Sequence, residues 1–121
     1  MLRREETDTK AVLDHHLAAF SAGSIDEVLK DYTDDAAFIT PDAVIKGREA
    51  IRAQFSTMFS GLFKPGTYDF TMDAVHVEGD VAYIAWRASC ATAEVALGTD
   101  TFVVRNSKII AQTFTAKIDP K

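Results

Sequence analysis

The sequence predicts an α+β fold in which three helices precede a sheet of four long antiparallel strands. Apolar residues recur with a helical period in the first half of the chain and alternate as in strands in the second half. Glycine and proline separate the two regions, at Gly61 and at Pro65-Gly66. A chain of 121 residues can bury one hydrophobic core, so we expect a single domain over residues 1–121.

Composition narrows the classes of function. The formal net charge is −5 and the 13 basic residues form no extended run, which argues against nucleic-acid binding. No apolar run is long enough to span a membrane, and the N-terminal basic residues are followed by acids, so we expect a cytoplasmic protein without a membrane partner. Cys90 is the single cysteine, in an apolar segment, and is predicted to be a small buried residue.

The first helix is predicted over residues 7–22. His16 falls within its apolar arc, whereas His15 points to the far side and is expected to face water. Gly23 ends this helix in the left-handed conformation that glycine adopts without strain. Ser24 and Glu27 have the spacing of a capping box, which indicates that a second helix starts at once.

The second helix is predicted to extend through an apolar stripe and to end at Asp34-Asp35; the stripe consists of Ile25, Val28, Leu29 and Tyr32. A short strand over residues 36–41 and a turn with a brief strand over residues 42–47 follow. Arg48 opens a third helix, which ends at Gly61 and has a regular apolar stripe made of Ile51, Phe55, Met58, Phe59 and Leu62.

The four long strands are predicted over residues 68–77, 81–92, 95–105 and 108–118, joined as a meander. Alternation places Asp100, Phe102 and Val104 on one face of the third of these strands, the face that can pack on the helices. His76 points away from its valine neighbours and is expected to face solvent or a dimer interface.

This order of elements resembles the nuclear transport factor 2-like (NTF2-like) superfamily. The segments Ala18–Gly23 with Asp34-Asp35-Ala36, and Thr99–Ile110, are similar to its SnoaL-like and ketosteroid isomerase-like branch. The resemblance implies a cone-shaped fold in which three N-terminal helices pack on a strongly curved antiparallel sheet that encloses a cavity. It also implies a small apolar organic ligand and a homodimer formed through the outer sheet face.

Ketosteroid isomerases use an aspartate base before a proline, a tyrosine on the first helix and a protonated aspartic acid on the third long strand. Asp100 matches the last of these. Thr40 stands before Pro41, and His16 occupies the tyrosine position. The family's base is therefore missing, and steroid isomerisation by that mechanism is not predicted.

His16 and Asp100 are the candidate catalytic residues. A His–Asp pair across a closed pocket could serve acid–base chemistry, with the aspartate orienting the ring and the ring moving the proton. The alternatives are that His16 is an inert imidazole in the core and that Asp100 lies at an exposed strand start.

Further side chains are predicted to line the ligand pocket. The alternatives are that the aromatic and methionine residues are ordinary core residues and that Thr40 and Gln112 are a structural hydroxyl and amide with their hydrogen bonds satisfied. The predicted lining residues are Phe20, Tyr32, Thr40, Phe55, Met58, Trp86, Phe102, Gln112 and Phe114. No metal and no cofactor are expected, because the three histidines and the acids form no known ligand pattern and the six glycines form no phosphate-binding loop.

The leading hypothesis is a small-molecule-binding protein with isomerase, cyclase or lyase activity. Two alternatives of another class are a non-catalytic ligand-binding or dimerisation module and a protein-interaction domain, since the same fold serves all three.

Overall fold

The computed structural model describes residues 4–121 as three helices and one six-stranded sheet. The helices are α1 (Arg4–Ala22), α2 (Ile25–Leu29) and α3 (Arg48–Ser60). The strands are β1 (Tyr32–Ile39), β2 (Val44–Lys46), β3 (Asp69–Glu78), β4 (Val81–Ser89), β5 (Ala93–Arg105) and β6 (Lys108–Pro120). This arrangement confirms the predicted α+β class and the packing of helices on a curved sheet.

The sheet is open and has the strand order β2-β1-β6-β5-β4-β3. Four of its five pairings are antiparallel, but β1 runs parallel to β6. Helix α1 packs on β3, β4 and β5, while α3 packs on β1 and β2. One concave face of the sheet and the two longer helices therefore enclose the interior.

The connection between α1 and α2 agrees with the prediction at the end of α1 and agrees only in part at the start of α2. Gly23 has φ of 67°, its N–H donates to the Phe20 carbonyl at 3.0 Å, and the Ser24 N–H donates to the Ala19 carbonyl at 3.1 Å. These two bonds are the Schellman pair that closes a helix. Ser24 Oγ accepts from the Glu27 N–H at 3.3 Å, so half of the capping box is present. The Glu27 carboxylate, however, binds side chains and not the Ser24 N–H.

The predicted length of the second helix is wrong, because α2 ends at Leu29 and Tyr32 already belongs to β1. The Ile109 N–H donates to the Asp31 carbonyl at 2.6 Å, and Tyr32 pairs with Ile109. The Arg48 guanidinium also donates to the Tyr32 carbonyl at 2.7 Å. Tyr32, which the apolar stripe assigned to a helix, therefore pairs with β6, a strand that lies far away in the sequence.

The two faces of the sheet differ in burial along β4. Ala82, Ile84, Trp86 and Ala88 are buried on the inner face, whereas Val81 and Tyr83 are 37% and 38% exposed on the outer face. His76 is exposed there and stacks on Tyr83 with ring centroids 6.4 Å apart. The homodimer through this face remains a prediction.

Two further expectations concern single features. Cys90 is buried, as predicted, although it follows the end of β4 and lies outside the strand. Within residues 4–121, no helix is both long enough and apolar enough to cross a membrane.

Gly98 lets the Trp86 indole lie directly against β5. A Cβ atom at position 98 would stand 2.3 Å from Cε2 and Cζ2 of the indole, far inside van der Waals contact. We expect Gly98→Ala to displace the indole and to lower the free energy of unfolding by about 1–3 kcal/mol, the usual cost of overpacking a core. Chemical denaturation of the two proteins measures this loss.

The same substitution in a Trp86→Phe background provides the control. The phenyl ring is smaller than the indole, so Gly98→Ala should cost less there, and the two changes should not be additive. Equal losses in the two backgrounds would show that the close approach to Trp86 does not limit position 98.

Candidate active site

A cavity of about 460 Å³ lies between α1, α3 and the inner sheet face. It combines an apolar aromatic wall with a few polar groups, as binding sites for small organic molecules do. Nine of the eleven residues predicted for the site line it: His16, Phe20, Phe55, Met58, Trp86, Asp100, Phe102, Gln112 and Phe114.

The other two predicted residues lie elsewhere. Tyr32 is fully buried beside the cavity wall and donates its hydroxyl to Oε1 of Gln112. Thr40 lies in the turn between β1 and β2, where its Oγ1 accepts from the N–H groups of Asp42 and Ala43 at 3.2 and 3.1 Å. Thr40 therefore stabilises a turn, because its hydroxyl replaces a backbone acceptor.

Sequence reasoning missed several lining residues, which are Leu17, Phe38, Phe63, Tyr68, Met72 and Ile84. Leu17 shares the apolar arc of α1 with Phe20, so helical spacing could have included it. Phe63 and Tyr68 lie in the irregular connection after α3, where no periodic signal exists. The exposed lining residues mark the mouth, and these are Ser21, Gly66, Asp69 and Phe70.

Asp100 sits in a hydrogen-bonded network inside the cavity wall. Its Oδ1 accepts from the Trp86 indole N–H at 2.8 Å, and its Oδ2 accepts from the Gln112 amide at 2.9 Å. The hydroxyl of Tyr32 donates to the other end of the Gln112 amide, which fixes the orientation of that amide. Burial raises the pKa of the Asp100 carboxyl to about 6, although the two hydrogen bonds favour its ionised form.

His16 has an aromatic environment. Its ring meets those of Phe102, Tyr32 and Phe55 edge to face, with centroids 5.1, 5.9 and 5.9 Å apart. The Nδ1 atom is buried and has no hydrogen-bond partner. Burial, with a smaller contribution from the adjacent His15, lowers the pKa of His16 to about 4, so the imidazole is neutral near pH 7.

The predicted pair does not form a hydrogen bond. His16 and Asp100 line the same cavity, but the donors of Trp86 and Gln112 occupy both Asp100 oxygens. Within residues 4–121, the carboxylate within 4.0 Å of a His16 ring nitrogen is that of Asp31. A separation of 4.0 Å is too long for a hydrogen bond.

His15 has more partners than its predicted exposure suggested. Its side chain is 41% exposed, yet its ring lies within hydrogen-bond distance of the carboxylates of Asp31 and Glu27. These two contacts raise the pKa of His15, in that order of size, because they stabilise the imidazolium. Among the residues that the structure describes, no cluster of three or more His, Cys, Asp or Glu side chains could hold a metal ion.

The fold is shared with solved structures of low sequence identity. The epoxide hydrolase/cyclase-like enzyme SalBIII, described in pyran ring formation of salinomycin, is 16% identical with a TM-score of 0.80, over 98% of this chain and 100% of that one. An NTF2-like protein of unknown function from Mesorhizobium loti is 18% identical with a TM-score of 0.81, over 97% of each chain. A proposed ketosteroid isomerase from Kribbella flavida is 14% identical with a TM-score of 0.77, over 92% and 78% of the two chains.

At this level of identity the structural likeness establishes the fold alone. Comparison with curated proteins finds no match. The sequence model of the SnoaL-like domain, in contrast, matches residues 13–112, which include α2, α3, all of β1 to β5 and most of α1. The chain therefore belongs to the SnoaL-like domain family, within the NTF2-like superfamily.

Proposed function

We propose that this protein binds a small, largely apolar organic molecule in the cavity and converts it by acid–base chemistry of the isomerase, cyclase or lyase type. A volume of about 460 Å³ suits a ligand of drug-like size. The aromatic wall favours an apolar body, while the buried polar groups can orient one or two oxygen atoms of the ligand.

The observation that carries the proposal is the Asp100 carboxyl. Its raised pKa of about 6 means that both the protonated and the ionised form are accessible near neutral pH. Proton transfer is most efficient when the pKa of the catalytic group lies near the working pH. Asp100 is thus better suited than His16 to give or take the proton, and the neutral His16 supplies a hydrogen-bonding group to the ligand.

A non-catalytic ligand-binding module is the second candidate function. The observation that favours it is Thr40, which stands where ketosteroid isomerases carry their base and which bonds within a turn away from the cavity. A protein of this kind would bind the ligand and release it unchanged.

A thermal-shift screen of ketones, steroids, polyketide-like aromatic compounds and small acids tests the proposal. At about one hundred times its Kd, a ligand should stabilise the wild type by roughly 2.7 kcal/mol. The stabilisation should be lost or strongly reduced in Asp100→Asn or His16→Ala. Compounds that bind are then assayed for turnover, which separates the enzyme from the binding module.

Two exposed positions supply matched controls, because His76→Ala and Asp35→Asn make the same chemical changes outside the cavity. Both should keep the ligand response of the wild type. If no compound shifts the wild type, or if the control variants lose the response as much as the cavity variants, the cavity is not the binding site.

A further inference from the structure

A second group of titratable side chains lies outside the cavity, where α1 meets the end of α2. Nδ1 of His15 lies 2.7 and 2.9 Å from the two carboxylate oxygens of Asp31, and Nε2 lies 3.1 Å from Oε1 of Glu27. Only an imidazolium can donate from both ring nitrogens at once. The contacts are therefore those of protonated His15, which holds the Asp31 carboxylate.

Asp31 also faces the cavity histidine. Its Oδ2 lies 4.0 Å from Nδ1 of His16, the buried ring nitrogen that has no hydrogen-bond partner. Leaving a buried polar atom unpaired is unfavourable, so such an atom calls for an explanation. Adjacent residues on α1 thus place one surface imidazole and one cavity imidazole beside the same carboxylate.

We propose that Asp31 is a positioning residue for His16 and that the protonation of His15 controls it. While His15 is charged, it holds both oxygens of Asp31. When His15 releases its Nδ1 proton to solvent and keeps the Nε2 proton for Glu27, its Nδ1 lone pair faces the carboxylate and repels it. Asp31 is then free to close the remaining gap and accept a hydrogen bond from the Nδ1–H of His16.

The consequence for the cavity is a defined tautomer of His16. A hydrogen bond at Nδ1 keeps the proton on that nitrogen and leaves Nε2 as an acceptor. This consequence rests on the proposed function, since it matters only if His16 meets a ligand. The link between the two histidines does not depend on a ligand.

The other surroundings of Asp31 act on its charge in opposite directions. Lys108, at the start of β6, attracts the carboxylate, while Glu27 repels it and is itself held by Lys30. Burial raises the pKa of Asp31 and is the largest influence on it. On α1, the neighbouring pair of charges is Lys10 with Asp14 at 2.6 Å.

Nitrogen NMR of the histidine rings tests the proposal in the free protein. Over pH 6–9 His16 should stay neutral, because its pKa is lowered to about 4. A change in its ring nitrogen signals in this range therefore reports a change in hydrogen bonding. We expect an inflection of the His16 signals at the titration midpoint of His15, with Nδ1 protonated on the alkaline side. A flat His16 profile would overturn the proposal.

Three variants test whether Asp31 connects the protonation of His15 to the hydrogen bonding of His16. Asp31→Asn should abolish the inflection and lower the His15 midpoint towards about 6.5, the ordinary value. His15→Ala should hold His16 in its alkaline form across the range. Asp35→Asn makes the same charge change at an exposed β1 residue and should leave the inflection intact.

An inflection of wild-type size in Asp31→Asn would mean that the charge of His15 acts directly through space, and the proposal would be wrong. If Asp31→Asn does not fold, His15→Ala tests the proposal instead. A His16 signal that still changes with pH in His15→Ala would contradict the proposal. No readout uses a ligand, so a failed ligand screen and a failed titration are separate results.

Discussion

Replacement of His16 by leucine is expected to remove most of the acid sensitivity that this histidine gives the folded protein. The pKa of His16 falls from 6.5 to about 4 on folding, chiefly because the ring is buried. The unfolded chain therefore binds a proton between pH 6.5 and 4 that the native protein does not. The contribution of neutral His16 to stability is fully present above pH 6.5 and is lost as the pH falls towards 4.

The size of this effect follows from the shift. One pKa unit corresponds to 1.36 kcal/mol, so the wild type should lose about 3 kcal/mol relative to His16→Leu between pH 6.5 and 4. Urea denaturation at several pH values measures the difference. A constant difference between variant and wild type, however large, would mean that His16 does not titrate below its ordinary range.

His76→Leu is the matched control, because it removes an exposed imidazole from the outer sheet face. Its stability relative to the wild type should vary much less over this pH range than that of His16→Leu. If His76→Leu reproduces the effect, the acid sensitivity is a general property of the charge on the protein and does not report burial of His16.

Asp100→Asn is expected to produce the opposite pH dependence. The pKa of Asp100 rises from 3.8 to about 6 on folding because of burial, so between these values the native protein holds a proton that the unfolded chain has lost. The stabilising contribution is fully present below pH 3.8 and is lost as the pH rises through 6. The wild type should lose about 3 kcal/mol relative to the variant over this range.

This prediction concerns how the difference in stability between wild type and Asp100→Asn changes with pH. Asparagine also changes the hydrogen bonds with Trp86 and Gln112, but by an amount that does not depend on pH. The trends of His16 and Asp100 have opposite signs and partly cancel in the wild type, so each variant must be compared with the wild type at the same pH. Asp35→Asn, at an exposed position, is the control. A variant that runs parallel to the wild type from pH 4 to 7 would contradict the raised pKa.

Local signals predicted most of the elements. The apolar stripe of α3 and its terminating glycine gave a start at Arg48 and an end within one residue of Ser60. Asn106 and Ser107 adopt φ of 54° and 61°, the backbone that a tight hairpin between β5 and β6 requires. Both features depend on residues close together in sequence, where periodicity and turn chemistry are reliable guides.

The sequence predicted most of the residues that form the candidate site, but it did not predict the hydrogen bonds between them. Strand alternation placed Asp100, Phe102 and Val104 on the face that can pack on the helices, and all three are buried in the structure. It could not show that Trp86 and Gln112 occupy the oxygens of Asp100, because those bonds cross neighbouring strands and depend on register. Nor could it show that His15 reaches Asp31, since that contact depends on the angle at which α2 leaves α1.

The sequence by itself determined the α+β class, the helix stop at Gly23, the helix α3 and the inward face of the long strands, because these features follow from backbone preferences and from the burial of apolar side chains. The tertiary structure decided the early start of β1, its parallel pairing with β6, the absence of a hydrogen bond between His16 and Asp100, and the position of Asp31 between two histidines. Each of these depends on contacts between segments far apart in the chain, where the packing of the whole domain outweighs local preference.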